Sequence, residues 1–282
     1  MAMNQQRREK LKPLLDEVPP GFLADSAWLI GRDINRKSIL NYERRGWLEK
    51  VTRGLYRRPF GSSETDNARQ GWKIAVLSMQ RLMGYDVHVG GKTALATHGL
   101  VHYLSFRGDE LVYLYGKPPA WLKRLPDADR YMTRTRSLFG GKMIGVDNVA
   151  ISSETADEDL AVSHGRWSLT VSSLERAVLE LLDELPDHES FHIADMAFES
   201  LSGVRPAKMQ AMLEACKSIK VKRLFFVFAD RHNHAWRKYL EMDRIDLGSG
   251  PRALVEGGKF HPDYRISVPA EYLPRQERDD GA

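Results

Sequence analysis

Hydrophobic and polar positions between residues 26 and 57 predict two short helices followed by a pair of strands. The first helix pattern ends at Gly31, and the second ends at Gly46, a residue type that commonly terminates helices. Two strand-like runs follow, over 47–51 and 55–57. Helix, turn, helix and β-ribbon in this order predict a winged helix-turn-helix.

The residues around these helices support that prediction. Asp25 or Ser26 is a suitable cap for the first helix. In the second helix, Ile39 and Tyr42 lie three positions apart and are expected to face the core of the module. Arg53-Gly54 is the expected tip of the wing.

The remaining chain predicts a larger domain of mixed composition. The segment 60–66, FGSSETD, is rich in glycine, serine and acids and marks the best boundary. Helix and strand patterns alternate up to about residue 185, and a mostly helical stretch runs from about 190 to 240. A last strand is expected over 264–268. We therefore predict an α+β protein with a winged helix-turn-helix over 1–59, a mixed α/β domain with a helical end over 67–272, and a disordered tail over 273–282.

Charge distinguishes the two parts of the chain. Residues 1–60 contain 13 Lys or Arg and 7 Asp or Glu, whereas the rest contains 29 and 31. Between residues 32 and 58 there are nine basic and three acidic side chains. A compact basic module of this kind is suited to duplex DNA, which carries a dense line of negative charge.

Arginine and asparagine in the second helix match the edges of guanine and adenine in the major groove, and cations in the wing match phosphates. The predicted DNA-binding residues are Arg32, Asn35, Arg36, Lys37, Asn41, Arg44, Arg45, Lys50, Arg53, Arg57 and Arg58. The alternative is that these side chains form a solvated basic helix pair within a larger fold.

Cysteine content and hydropathy exclude some classes of protein. The chain has one cysteine, Cys216, so no internal disulfide forms and a reducing cytoplasm is expected. Its position in a helical pattern predicts a buried, unreactive thiol. The N-terminus is polar, and the longest apolar runs are much too short for a membrane span. We expect a cytoplasmic protein without a membrane partner.

Motifs for phosphate or metal binding are incomplete. Gly90-Gly91-Lys92-Thr93 resembles the end of a phosphate-binding loop, but position 86 is Asp where that loop requires glycine. Pairs of histidines such as His98 and His102 have the spacing of zinc ligands, without the additional ligands that zinc requires. The sequence therefore predicts no metal site, no cofactor and no catalytic residue.

Two further clusters permit more than one interpretation. Acidic residues such as Asp147 and Glu256 are weak candidates for a nuclease site, because neither follows a clear strand. Lys217, Lys220, Lys222 and Arg223 form a second basic cluster beside an apolar run. They are expected either to contact phosphates or an acidic partner, or to lie at the edge of a core.

Several segments together resemble the AbiEi family of type IV toxin–antitoxin systems. These are the winged helix beginning near residue 10, RRGWLEKVTRGLYRRP, GGKTALATHGL and VSSLERAVLELLDELP. The resemblance extends from about residue 8 to about residue 270. Leu174 departs from the pattern, since related proteins often have proline before the glutamate.

The resemblance implies an antitoxin and transcriptional autorepressor that takes part in abortive phage infection. Its winged helix is expected to bind inverted repeats in its own promoter, cooperatively and with bending of the double-stranded DNA. The C-terminal domain is expected to neutralise a nucleotidyltransferase-like toxin without a stable complex.

Within the C-terminal domain, Glu175 and Arg176 are candidates for the antitoxin surface. The alternative, which we favour, is that they form ion pairs or are solvated. For the chain as a whole, the alternative functions are a DNA-targeted nuclease and a ligand-sensing transcriptional regulator. A deep apolar pocket would favour the ligand-sensing regulator.

Overall fold

A computed structural model describes residues 13–60, 67–100, 111–150 and 167–274. Residues 275–282, which make up most of the predicted tail, lie outside these ranges. The chain forms two compact units. The first comprises Met1–His88, Leu114–Thr133 and Asn148–Val171. The second comprises Val89–Tyr113, Arg134–Asp147 and Ser172–Ala282. The fold is α+β, as predicted.

The first unit contains the predicted winged helix-turn-helix. Its elements are β1 (Leu23–Asp25), α1 (Ser26–Gly31), α2 (Arg36–Arg44), β2 (Glu49–Thr52) and β3 (Leu55–Arg57). The strands form an antiparallel sheet in the order β1-β3-β2. Strand β1 was not predicted, because three residues are too few to establish an alternating pattern.

Side-chain caps determine where both helices begin. The Asp25 carboxylate accepts a hydrogen bond from the backbone nitrogen of Trp28 at 2.8 Å. Asn35 accepts one from the backbone nitrogen of Ser38 at 2.9 Å. Each bond satisfies an amide that the first helical turn leaves unpaired. After α2, Gly46 adopts a φ of 71°, which glycine tolerates without steric cost.

The β2–β3 hairpin is the wing. Gly54 has a φ of 78° at the turn, and Glu49 lies opposite Arg57 in the register. The backbone nitrogen of Ser26 donates to the carbonyl of Gly54 at 2.9 Å, so the wing tip is joined to the start of α1.

Helix α3 (Asn67–Leu77) continues into a π-helical turn at Ser78–Leu82. The Ser78 hydroxyl accepts a hydrogen bond from the backbone nitrogen of Leu23 at 2.9 Å. The Trp28 indole donates to the carbonyl of Leu82 at 2.8 Å. These bonds fix β1 and α1 to the end of the helix.

Five further strands form a second sheet in the order β6-β5-β4-β8-β7. They are β4 (Val87–Val89), β5 (Val112–Gly116), β6 (Tyr131–Arg134), β7 (Val146–Ala150) and β8 (Ser168–Ser172). A short helix, α4 (Gly91–Thr97), follows β4.

The second unit ends in helices, as predicted. They are α5 (Leu174–Asp183), α6 (Phe191–Glu199), α7 (Pro206–Ala215) and α8 (Ile219–His232), and the hairpin β9 (Lys259–His261) and β10 (Ile266–Val268) follows. Helices α7 and α8 are separated at 216–218, where the Ser218 side chain caps α8. No helix in the described ranges is long and apolar enough to cross a membrane.

Candidate nucleic-acid interface

Helix α2 has a buried face and a charged face. Ile39 and Tyr42 are buried in the module, as their spacing predicted. Arg36, Lys37 and Arg44 are exposed on the remaining surface. Asn41 is half-buried between the two faces. The helix therefore presents three cations and one amide at a single surface, the arrangement that a recognition helix needs in a major groove.

The wing adds a second set of exposed cations. Lys50 lies in β2 and Arg53 lies at the turn, and both are exposed. Within the described ranges, no side chain forms an ion pair with Arg36, Lys37, Arg44, Lys50 or Arg53. Because their charge is not compensated locally, these five side chains are available to phosphates.

Other predicted residues have structural partners. Asn35 is occupied as the cap of α2. Arg32 pairs with Glu17, and its guanidinium carbon lies 3.8 Å from the centroid of the Trp28 ring. Arg57 forms an ion pair with Glu49 at 2.8 Å across the wing. DNA contacts by Arg32 or Arg57 would compete with these pairs.

Arg58 and Arg45 differ in availability. Arg58 is half-buried, and its guanidinium donates to the carbonyls of Leu15 and Val18, the second at 2.7 Å. Arg45 is exposed, with its guanidinium carbon 5.3 Å from the centroid of the Trp47 ring. Arg58 is thus a structural residue that ties the end of the wing to the preceding chain, whereas Arg45 remains accessible.

The structure adds residues that the sequence pattern did not single out. Leu40 is 51% exposed on α2, next to the predicted contacts. An apolar side chain there is suited to a thymine methyl group. Arg124 is exposed in a 3₁₀ turn, Leu122–Arg124, and its Nη2 donates to the carbonyl of Arg53 at 3.3 Å. The signal for Leu40 was its position beside Ile39, since adjacent helical residues cannot share one face.

A polar network around the Asp25 carboxylate stabilises the N-terminus of α1. The Asp25 carboxylate accepts a hydrogen bond from the Tyr85 hydroxyl and another from the Trp121 indole nitrogen, the latter at 3.1 Å. Burial and the neighbouring Asp25 raise the pKa of Tyr85 to about 12. The hydroxyl therefore keeps its proton at neutral pH and remains a donor.

Glu175 and Arg176 are fully buried in the second unit, so neither contributes to a surface of this chain. Glu175 forms an ion pair with Arg205, with 2.9 Å between Oε1 and Nε, and Arg176 forms one with Glu180, with 2.7 Å between Nε and Oε1. The Arg176 Nη1 also donates to the carbonyls of Lys142 and Ile144, at 3.0 and 2.7 Å. Of the two interpretations given for this pair, these contacts favour ion-paired structural residues over an antitoxin surface.

In the segment after β4, the groups that would bind a phosphate contact carboxylates of the protein instead. Gly91 donates its backbone N–H to Glu180 Oε2 at 3.0 Å, and Lys92 forms an ion pair with Glu189 at 2.8 Å. This supports a simple glycine turn at the start of α4. Among the described residues, no group of His, Cys, Asp or Glu is arranged to hold a metal ion, and His102 lies outside the described ranges.

The second basic cluster is structural at its best-defined positions. Arg223 is buried and donates to four backbone carbonyls, those of Leu247, Gly248, Gly250 and Arg265. Lys220 donates to the carbonyls of Asp183 and Leu185 at 2.7 and 2.8 Å. These contacts favour the interpretation that the cations lie at the edge of a core.

Two protein-family models match the chain, and together they cover most of it. Residues 7–106 match the family described as "Transcriptional regulator, AbiEi antitoxin N-terminal domain". Residues 109–269 match that described as "Transcriptional regulator, AbiEi antitoxin, Type IV TA system". The chain belongs to the AbiEi family of antitoxin transcriptional regulators. This confirms the resemblance drawn from the sequence, and the family is one of regulators of type IV toxin–antitoxin systems.

One solved structure has a similar fold. The crystal structure of the Rv2827c protein from Mycobacterium tuberculosis matches with a TM-score of 0.51 and 14% identity. The match covers 87% of this chain and 85% of that one. At this identity the likeness concerns the fold alone. No curated protein matches the chain.

Proposed function

We propose that this AbiEi-family chain binds double-stranded DNA through α2 and the wing and represses the promoter of its own operon. The observation that supports this most directly is the set of five exposed cations on these two elements that form no ion pair with any described residue. Cations that are already neutralised contribute little to phosphate binding, whereas these release condensed counterions from DNA when they bind.

The two elements divide the work of recognition. Arg36 and Asn41 on α2 contact base edges, because their paired donors and acceptors match guanine and adenine. Lys50 and Arg53 on the wing contact phosphates and set the position of the protein. The family resemblance adds that the target consists of inverted repeats, which two copies of the chain would occupy cooperatively while they bend the DNA.

The C-terminal family region is proposed to neutralise a nucleotidyltransferase-like toxin in the cytoplasm, without a stable complex and without enzymatic activity of its own. The family description as an antitoxin of a type IV system supports this. The buried state of Glu175 and Arg176 directs the search for the neutralising surface to other residues.

Fluorescence anisotropy on a labelled promoter fragment tests the DNA-binding proposal. Arg36→Ala and Asn41→Ala should each weaken specific binding by about 1–3 kcal/mol and relax base preference. Arg53→Ala should weaken binding to all DNA sequences to the same extent. It should also reduce the slope of log K against log salt concentration by about 0.9. Arg244→Ala is the matched control, since it removes one arginine that is 57% exposed in the second unit. Equal affinities for all four variants and the wild type would refute the interface.

Co-expression with the toxin tests the division between the two activities. The double variant Arg36→Ala/Arg53→Ala should lose repression of a promoter reporter but still protect cells from the toxin. Both changes lie on exposed side chains, so we expect the melting temperature to stay unchanged. Loss of protection in a variant with an unchanged melting temperature would show that DNA binding and neutralisation are not separate.

A further inference from the structure

A cavity of about 360 Å³ lies in the first unit beside the wing. Val51 and Arg57 of the wing line one side, and Gly71 of α3 lines another. Leu125 and Tyr131, from the segment after the 3₁₀ turn, complete the wall. Its size falls within the range of small-molecule sites in proteins.

The face of α3 that lines this cavity carries an unusual residue. Gly71, Ile74 and Ala75 share one helical face, and all three line the cavity. Glycine is the least favourable residue in a helix interior after proline. A Cβ atom added at Gly71 would meet no described atom within 4 Å, so close packing does not require glycine there. The missing side chain instead leaves the cavity open.

The chemistry of the wall indicates what fits. Phe60, Leu125 and Tyr131 supply apolar and aromatic surface, which suits a flat aromatic molecule. Arg57 is already paired with Glu49 at 2.8 Å. Asp127 also lines the cavity, and its carboxylate has no hydrogen bond or ion pair to the described side chains. This half-buried carboxylate is an acceptor for a ligand with an N–H donor or a positive charge.

We propose that this cavity binds a small molecule with an aromatic ring and a protonated amino group, and that the bound molecule changes the affinity of the wing for DNA. The binding step depends only on the cavity. The second step rests on the proposed function, because Val51 and Arg57 belong both to the cavity wall and to the wing. A ligand affects DNA binding only if it interacts differently with the free and DNA-bound positions of these residues.

Fluorine NMR on the full chain without DNA tests the binding step. The probe is 5-fluorotryptamine, whose ammonium group suits Asp127, and 5-fluoroindole-3-acetate is its anionic counterpart. The wild type should broaden the tryptamine signal, and the acetate signal should broaden at least fivefold less. Gly71→Leu should abolish the broadening by filling the cavity, and Asp127→Asn should remove the preference between the probes.

Gly31→Leu is the matched control, because Gly31 also lies in a helix with no described atom within 4 Å of an added Cβ. It does not line the cavity, so the probe should still bind. No broadening by the wild type, or equal broadening by the wild type and Gly71→Leu, would overturn the site. A melting temperature of Gly71→Leu below that of the wild type would do the same, since the space would then not be open.

Promoter affinity at saturating 5-fluorotryptamine tests the second step. We expect at least a threefold change in Kd for the wild type and none for Gly71→Leu. An unchanged Kd in a wild-type protein that binds the probe would refute the regulatory link. Absence of promoter binding with and without the probe would instead refute the proposed function.

Discussion

The indole nitrogen of Trp121 donates a hydrogen bond to the carboxylate of Asp25, which lies 96 positions earlier in the chain. The same carboxylate caps α1 and accepts a bond from Tyr85. One buried side chain therefore holds the start of the helix-turn-helix and two later segments of the first unit.

Two replacements of Asp25 should destabilise the protein to different extents. Asp25→Ala removes the cap and leaves two donors unpaired, so we expect a loss of about 3 kcal/mol in the free energy of unfolding. Asp25→Asn keeps one acceptor oxygen for the cap and should cost about half as much. Urea unfolding measures both. Equal stability of Asp25→Ala and the wild type would mean that the three bonds contribute nothing.

The boundary predicted at 60–66 leads to a test of the winged module in isolation. Leu23 and Trp28 bond to Ser78 and Leu82, which a fragment of residues 1–60 lacks. We therefore expect that fragment to show no cooperative thermal transition by circular dichroism. A cooperative transition, with promoter binding equal to that of the full chain, would establish 1–59 as an independent domain.

Arg176→Ala should destabilise the second unit strongly. It would remove the guanidinium that lies 2.7 Å from the buried Glu180 carboxylate, and removal of one member of a buried ion pair costs about 3–5 kcal/mol. The exposed Arg244→Ala serves as control and should cost no more than about 1 kcal/mol. Thermal unfolding and toxin neutralisation should be measured on the same protein. Loss of neutralisation with an unchanged melting temperature would return this helix to the antitoxin surface.

Acid should remove the contribution of the Glu175–Arg205 pair. Burial alone would raise the pKa of Glu175, but hydrogen bonds and charge from Arg205 outweigh it and lower the pKa below 4.5. A lowered folded-state pKa stabilises above the unfolded value, and the contribution is lost as pH falls. The stability difference between the wild type and Arg205→Ala should thus be largest at neutral pH and shrink below about pH 4.5. A constant difference from pH 7 to pH 3.5 would contradict this.

Cys216 should resist alkylation in the native protein. The thiol is buried, and burial raises its pKa to about 11, so the reactive thiolate is scarce at pH 8. Iodoacetamide should label the cysteine only after unfolding, as measured by mass spectrometry. Rapid labelling under native conditions would show that the end of α7 opens readily.

The sequence pattern predicted the parts of the fold that depend on local periodicity. The helix-turn-helix, the wing and the cap at Asp25 were predicted in the correct order. The hairpin partner β9 was missed, because Lys259–His261 is short and largely exposed.

Burial of charges was the main feature that the pattern did not predict. The helical spacing of the apolar residues in α5 predicts that its charged residues lie on another, solvated face. The apolar residues are Leu174, Val178, Leu181 and Leu182. In the structure Glu175, Arg176 and Glu180 are buried as well. Their partners come from distant positions such as Gly91, Lys142 and Arg205, and a local pattern contains no information about them.

The same reason limits prediction of the candidate site. Arg57 and Arg58 look like free cations in the sequence, because Glu49 and the carbonyls of Leu15 and Val18 become their partners only in the folded chain. Arg124 could not be placed beside the wing tip without the fold.

The hydrogen bond between Ser26 and Gly54 bears on the thermodynamics of the proposed DNA binding. Wings that are mobile in the free protein lose conformational entropy when they settle on DNA. In this protein the wing turn is hydrogen-bonded to the start of α1 in the absence of DNA. Association would then draw its entropy mainly from released counterions rather than lose it to loop ordering, and the angle between wing and helix would be set by the protein instead of by the groove.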